Sequence, residues 1–314
     1  MKSSKIINIK GNVANSFQLI GVVAGKYKLK EKYENVFLCL NYYNYWGRQN
    51  IPDEFVQYIE NSNNSCIPGR KISVNINHAR RFGFRRIVVD DGVGAYRKNP
   101  IAHLQTLNSE KIHKGEKKTS LFRSIKFVIR FLLNQLNIFF PVNNVSIFKK
   151  KWLGYFDVDE GNIKYFKKAL MELSALFVDH QQISEKSIIF ASQPALISQN
   201  KKEYIDFLGV IFAKLRKDYP FCPILVKKHP IDDIDYSIFD IGEIKDDLPM
   251  EIFLTINESN IYSVFGFSST SLLTAKILSG INAYYILPLG HKKLTNDFWV
   301  NRCFKLHLQE YKLN

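Results

Sequence analysis

The sequence has few cysteines, glycines and prolines, and no long uninterrupted hydrophobic run. Its cysteines, Cys39, Cys66, Cys222 and Cys303, are scattered without a Cys-x-x-Cys pair. Neither a zinc ribbon nor a disulfide scaffold is therefore expected, and a reducing, intracellular compartment fits best. With 16 glycines and 10 prolines in 314 residues, collagen-like and low-complexity architectures are excluded. The opening MKSSKIINIKGNVANSF breaks its apolar run with asparagine and glycine by residue 12, leaving no signal-peptide core. Walker-type, GxGxxG and HExxH motifs are all missing. There is also no second acidic cluster suited to holding Mg²⁺ on a diphosphate, which favours a donor with one phosphate or a metal-free mechanism.

What is present is an apolar fraction of 46%, with 14% aromatics, enough to bury a core in two ordinary domains or one large one. Lysine and arginine total 44 against 29 acids, a net charge of +15. Such a chain is drawn to polyanions: nucleic acid, anionic lipid, or phosphorylated and acidic substrates. The charge gathers in residues 111–151, which hold ten Lys/Arg against the single acid Glu116. Inside that stretch, 121–140 reads LFRSIKFVIRFLLNQLNIFF. Arg123, Lys126 and Arg130 would each cost about 2.5–3.5 kcal/mol at the centre of a bilayer, so the segment is not a membrane span. On a helical wheel Leu121, Phe122, Ile125, Val128, Ile129, Leu132, Leu133 and Leu136 share one arc, with the three basic residues opposite. That pattern describes a helix lying on an anionic membrane surface; it equally describes a core-packing helix with a solvated basic face. A nucleic-acid-binding protein is disfavoured, because the charge surrounds an apolar helix and no RNP, helix-turn-helix or finger signature appears.

Short β-branched runs alternate with helical patterns, the signature of α/β folds with parallel sheets. The expected strands are 4–9, 35–40, 71–75, 85–90, 187–191, 222–228, 261–265 and 282–287. The expected helices are 15–25, 52–61, 160–179, 201–218, 249–257 and 269–280. A boundary near residue 183, in the polar HQQISEKS segment, separates domains 1–183 and 184–314, read as two doubly wound Rossmann-like domains facing a cleft.

In such sheets ligands bind beyond the carboxyl ends of the strands, and four polar clusters sit there. Asp90-Asp91-Gly92, continuing to Gly94, ends the strand RRIVV; adjacent carboxylates suit a general base because proximity raises one pKa, although Asp-Asp-Gly is also an ordinary turn. His229-Pro230 follows ILVKK, so a histidine beside Lys227 and Lys228 should project into the crevice. Ser268-Ser269-Thr270 opens the helix after IYSVF, where hydroxyls and free N–H groups can hold an anion or simply cap the helix. Glu251 stands in the first turn of a fourth segment, where it can complement the helix dipole or accept from a ribose diol.

An acid-acid-Gly motif, then His-Pro, then Ser-Ser/Thr, in that order, resembles the bacterial sialyltransferases, in particular the lipooligosaccharide sialyltransferase and polysialyltransferase groups. The opening GNVANSFQLIGVVA is similar to their first strand–loop–helix, with Asn12 and Gln18 in it. The resemblance implies a GT-B architecture and metal-free use of CMP-sialic acid without any cofactor. It implies that Asp90 deprotonates the acceptor hydroxyl, that His229 assists departure of the CMP phosphate, and that Ser268, Ser269 and Thr270 bind that phosphate. Glu251 matches a ribose-binding glutamate, and Lys227, Ser192, Gln193 and Pro230 fall where the nucleotide is approached. Asp91, Gly92 and Gly94, with Asn12 and Gln18, would lie near acceptor or donor sugar; Val93 stands where some relatives carry a hydroxyl residue. The implied partners are the CMP-sugar, a glycan or glycolipid acceptor and an anionic membrane surface, at the inner face of the cell membrane. A same-fold enzyme using another CMP-nonulosonic acid is the nearest alternative.

Overall fold

The computed structural model describes residues 3–42, 51–76, 86–89, 101, 104, 108, 117, 119–135, 143–149, 157–177, 180, 182–193, 200–229, 232–245, 248–288, 292, 294 and 298–313. The chain separates into two compact units, one around each of two parallel sheets.

In the first unit β1 (Ser3–Val13), β2 (Tyr33–Tyr42), β3 (Arg70–Ile76), β4 (Arg86–Val89) and β5 (Asn143–Val145) lie in the order β2-β1-β3-β4-β5. Every pairing is parallel. A strand covered on both faces reads as a continuous apolar run, and Ile7 and Ile9 of β1 with Ile87 and Val89 of β4 are fully buried. Helix α1 (Ser16–Leu29) crosses this sheet closely. A Cβ built on its Gly25 would meet Ile87 at 3.1 Å, so the glycine permits the close approach. Helix α2 (Asp53–Asn64) runs beside the edge strand β2. Its Asn63 side chain brackets Leu40, accepting from the backbone N–H at 2.7 Å and donating to the carbonyl at 2.6 Å. That contact supplies partners an edge strand otherwise lacks.

The expectation of unpaired cysteines fails here: Cys39 of β2 and Cys66, just past α2, form a disulfide with Cα atoms 6.2 Å apart. Their 27-residue separation carries no motif; the pair meets because α2 folds back along β2. Cys303 is buried and free, Cys222 half-buried and free.

Helix α3 (Leu121–Gln135) matches the expected amphipathic helix. Its apolar arc does not face a core over its first turns: Leu121, Phe122, Ile125 and Ile129 are all exposed, as are Arg123 and Lys126. Ser124, Phe127 and Val128 form its half-buried side. Among the described residues no helix is long and apolar enough to cross a membrane. Helix α4 (Glu160–Ser174) ends in a 3-10 turn, Ala175–Phe177, earlier than the pattern over 160–179 predicts.

In the second unit β6 (Ser187–Ala191), β7 (Ile224–Lys227), β8 (Gly242–Glu243), β9 (Ile261–Gly266), β10 (Asn282–Tyr285) and β11 (Gln309–Glu310) take the order β11-β10-β9-β6-β7-β8. The connections are α5 (Lys201–Asp218), a 3-10 turn Tyr236–Phe239, α7 (Thr270–Leu278) and α8 (Phe298–His307). Helix α6 (Met250–Ile256) groups with the first unit as far as Thr255. The core under α5 is aromatic. Phe190, Phe212 and Phe267 meet edge-on, with Phe190–Phe212 centroids 5.0 Å apart, a favoured arrangement for ring quadrupoles. Both sheets are doubly wound and parallel, the two halves that a GT-B chain requires. Three short strands (β5, β8, β11) have no counterpart in the sequence reading, since two or three residues carry no periodicity; the ten-residue α8 has none either.

Candidate active site

Strand β6 is the pivot of the second sheet: the chain passes from it to β7 on one side and later reaches β9 on the other. The crevice beyond such a switch point is where doubly wound sheets bind ligands. Ala191, the last residue of β6, is in register with Lys227 of β7 and Gly266 of β9. A Cβ on Gly266 would come within 2.9 Å of the Ala191 carbonyl, so only glycine lets the two strand ends lie so close. Three loops therefore leave the sheet together, carrying Ser192-Gln193, Lys228-His229 and Phe267-Ser268.

Hydrogen bonds join them. The Ser192 N–H donates to the Lys227 carbonyl at 3.1 Å, and its buried hydroxyl accepts from the His229 N–H at 2.9 Å. The Gln193 side-chain oxygen accepts from the Ser268 hydroxyl at 3.4 Å, while its carbonyl accepts from Tyr204 of α5 at 2.9 Å. Ser269 caps α7, its Oγ accepting from the Ser271 N–H at 3.3 Å. The first turn of α7, with Thr270, thus presents backbone N–H groups and the positive end of the helix dipole at the crevice. Of the residues singled out in the sequence, the fold gathers Ser192, Gln193, Lys227, His229, Ser268, Ser269 and Thr270 at this strand end.

Two aspects of its electrostatics go beyond the sequence. Lys227 is buried at the end of β7, and its backbone carbonyl helps to join the strand ends. His229 keeps an exposed edge, yet the protein packed round it desolvates the imidazolium and holds its pKa below 6.5, with the Asp232 carboxylate pulling the other way.

Asp232, Tyr236 and Tyr204 form the polar floor of this loop cluster and were missed at the sequence level, where nothing distinguishes Asp232 from its neighbours Asp233 and Asp235. The Tyr236 hydroxyl donates to Asp232 Oδ2 at 2.8 Å. Burial, with the nearby Asp232 charge, pushes both tyrosine hydroxyls far above their ordinary pKa.

Asp90, Asp91, Gly92 and Gly94, which follow β4, and Pro230 lie outside the described residues. Asn12 is exposed near the carboxyl end of β1. Gln18 is buried and faces its own loop: its side chain accepts from the Ala14 N–H at 2.8 Å, and its N–H donates to the Asn15 cap at 2.8 Å. What Gln18 contributes is the shape of the β1–α1 turn. Glu251 is half-buried in the first turn of α6. Among the described residues no group of three His, Cys, Asp or Glu is arranged to hold a metal ion.

The profile of the alpha-2,8-polysialyltransferase family matches residues 23–287. The chain belongs to this family. It is thus a sialyltransferase, a glycosyltransferase dependent on CMP-sialic acid. No curated protein matches it. Among solved structures it is similar to a sialyltransferase from Photobacterium damsela, at 11% identity over 97% of this chain and 81% of that one, TM-score 0.45. It is similar also to a Photobacterium 2,6-sialyltransferase solved with the donor product CMP and the acceptor lactose, at 11% identity over 95% and 75%, TM-score 0.44. A UDP-GlcNAc 2-epimerase from Methanocaldococcus jannaschii is similar at 13% identity over 89% and 83%, TM-score 0.43.

Proposed function

We propose that this polysialyltransferase transfers sialic acid from CMP-sialic acid, with inversion and without a metal or cofactor, to a hydroxyl of a terminal sugar on a bacterial capsule or lipooligosaccharide. The family description favours sialic acid itself over galactose as that terminal sugar, and an α2,8 bond. In the proposed reaction Asp90 takes the proton of the acceptor hydroxyl as its oxygen bonds to the anomeric carbon. The bond from that carbon to the phosphate oxygen breaks, and its electron pair leaves with CMP. His229 donates a hydrogen bond or proton to the departing phosphate. The α7 N-terminus with Ser268, Ser269 and Thr270 stabilises the growing charge. Ser192, Gln193, Lys227 and Pro230 border the nucleotide, Glu251 accepts from its ribose, and Asp91, Gly92, Gly94, Asn12 and Gln18 border the sugars. A single phosphodiester leaves less charge to neutralise than a diphosphate, which fits a site built of dipoles and one imidazole.

The observation that carries this reading is the junction of β6, β7 and β9, where Ser192 bonds His229 and Gln193 bonds Ser268 above a capped helix N-terminus. The test is a thermal-shift series of nucleotides in EDTA: CMP should raise the melting temperature and UMP, GMP and AMP should not. No stabilisation by CMP, or stabilisation only with added metal, would defeat the donor assignment. The reading further has the enzyme working at the cytoplasmic membrane face, with α3 on anionic lipid. The outward-facing Leu121, Phe122, Ile125 and Ile129, flanked by Arg123 and Lys126, support it.

A further inference from the structure

Three aspartates follow His229 within six residues, and the fold uses each differently. Asp233 is exposed and pairs with Lys201 at 2.7 Å. Asp235 caps the 3-10 turn, accepting from the Ser237 N–H at 3.0 Å and the Ser237 hydroxyl at 2.7 Å. Asp232 alone is buried, 8% exposed. Its N–H donates to the His229 carbonyl at 2.8 Å, its Oδ1 accepts from the Ile234 N–H at 3.1 Å, and its Oδ2 accepts from Tyr236 at 2.8 Å. On the other side, the His229 N–H is held by Ser192 Oγ, which also shares a side-chain hydrogen bond with Tyr236. Both backbone polar groups of His229 are thus fixed, and Tyr236 ties the two holds together.

Holding a carboxylate in this setting is costly. Neutral asparagine could accept from the Ile234 N–H and donate to the Tyr236 hydroxyl without the desolvation of a charge. Among the described residues no lysine or arginine forms an ion pair with Asp232, so the charge is left to act on His229. We propose that Asp232 is a positioning residue for His229: clamped by Tyr236 and Ile234, it fixes the histidine loop and sets its negative charge beside the imidazole that meets the departing phosphate. This rests on the donor-site reading above.

The test compares parent, Asp232→Asn and Tyr236→Phe in CMP affinity by calorimetry and in turnover at saturating CMP-sialic acid. Asp232→Asn removes the charge while its Oδ1 still accepts from the Ile234 N–H, and its amide N–H can donate to the Tyr236 hydroxyl in place of the bond now accepted there. It should keep or tighten CMP binding, since a negative group near an anion site is gone, and lose about tenfold or more in turnover, a misplacement of roughly 1 Å being able to cost about 10²-fold. Tyr236→Phe, which keeps the charge and frees the clamp, should lose turnover several-fold at unchanged CMP affinity. Turnover within twofold of the parent in a folded Asp232→Asn overturns the proposal; should that variant not fold, unchanged turnover in Tyr236→Phe overturns it instead. A parent that neither binds CMP nor transfers sialic acid would sink the donor-site reading first, a result distinct from an active parent with an equally active variant.

Discussion

Membrane attachment through α3 can be worked out from exposed area. Leu121, Phe122, Ile125 and Ile129 are 78%, 75%, 51% and 52% exposed. Complete burial of such side chains is worth about 1.5–3 kcal/mol each, so the exposed portions hold about 4–8 kcal/mol in total. A helix lying in the interface inserts only about 5–10 Å, so about half of that, roughly 2–4 kcal/mol, is recoverable. Arg123 and Lys126 add about 1 kcal/mol each near an anionic surface. The sum of about 4–6 kcal/mol corresponds to half-binding between about millimolar and tens of micromolar accessible lipid. Replacing Phe122 and Ile125 by serine should remove about half the apolar contribution, 1–2 kcal/mol, and weaken binding about 5- to 30-fold. Changing Arg123, Lys126 and Arg130 to glutamate should abolish the preference for anionic lipid and its weakening by salt. The assay is co-sedimentation with neutral and anionic vesicles over a salt series, with transfer to a small soluble acceptor as the control that should not change. Equal binding to both vesicle types, or binding untouched by the serine pair, would refute the reasoning.

Asp90→Asn should leave CMP affinity intact and slow transfer by about 10²–10⁴-fold, the usual loss for a general base; equal activity would remove Asp90 and turn attention to Asp91. Glu172 should make the first unit acid-sensitive. Burial raises its pKa, but hydrogen bonds from Lys26, Tyr58 and Tyr27 outweigh that and hold it below 4.5. With the folded value below the unfolded one, this contribution is complete above the ordinary glutamate range and is lost as pH falls through the folded value. The melting temperature should therefore drop below about pH 4.5, and Glu172→Gln should flatten that slope. Reduction of Cys39–Cys66 releases a loop closed across 27 residues, which chain entropy rates at about 3–4 kcal/mol; denaturation with and without reductant should differ accordingly, and identical midpoints would show that the bond carries no stability.

The strand-end cluster of the second sheet was legible because each of its parts rests on local chemistry. His-Pro after ILVKK announces a strand end, and Ser-Ser-Thr before an apolar helix announces a cap, so both could be placed without any long-range contact. Likewise β6 and α5 appear where the pattern puts them, at Ser187–Ala191 and Lys201–Asp218, since their apolar periodicity is complete within the segment.

Other features needed the assembled chain. Cys39 and Cys66 find each other only when α2 lies back along β2. Which of Asp232, Asp233 and Asp235 turns inward depends on the path of one loop under Tyr236, and three acids in six residues look alike in sequence. Sequence shows the lysines beside His229 but not the packing that desolvates its ring. For α3, amphipathicity was plain in the letters, but whether its apolar arc met protein or solvent was not, because a helical wheel records spacing and not neighbours. Sequence determines what a segment can bury; only the folded chain decides what is there to bury it.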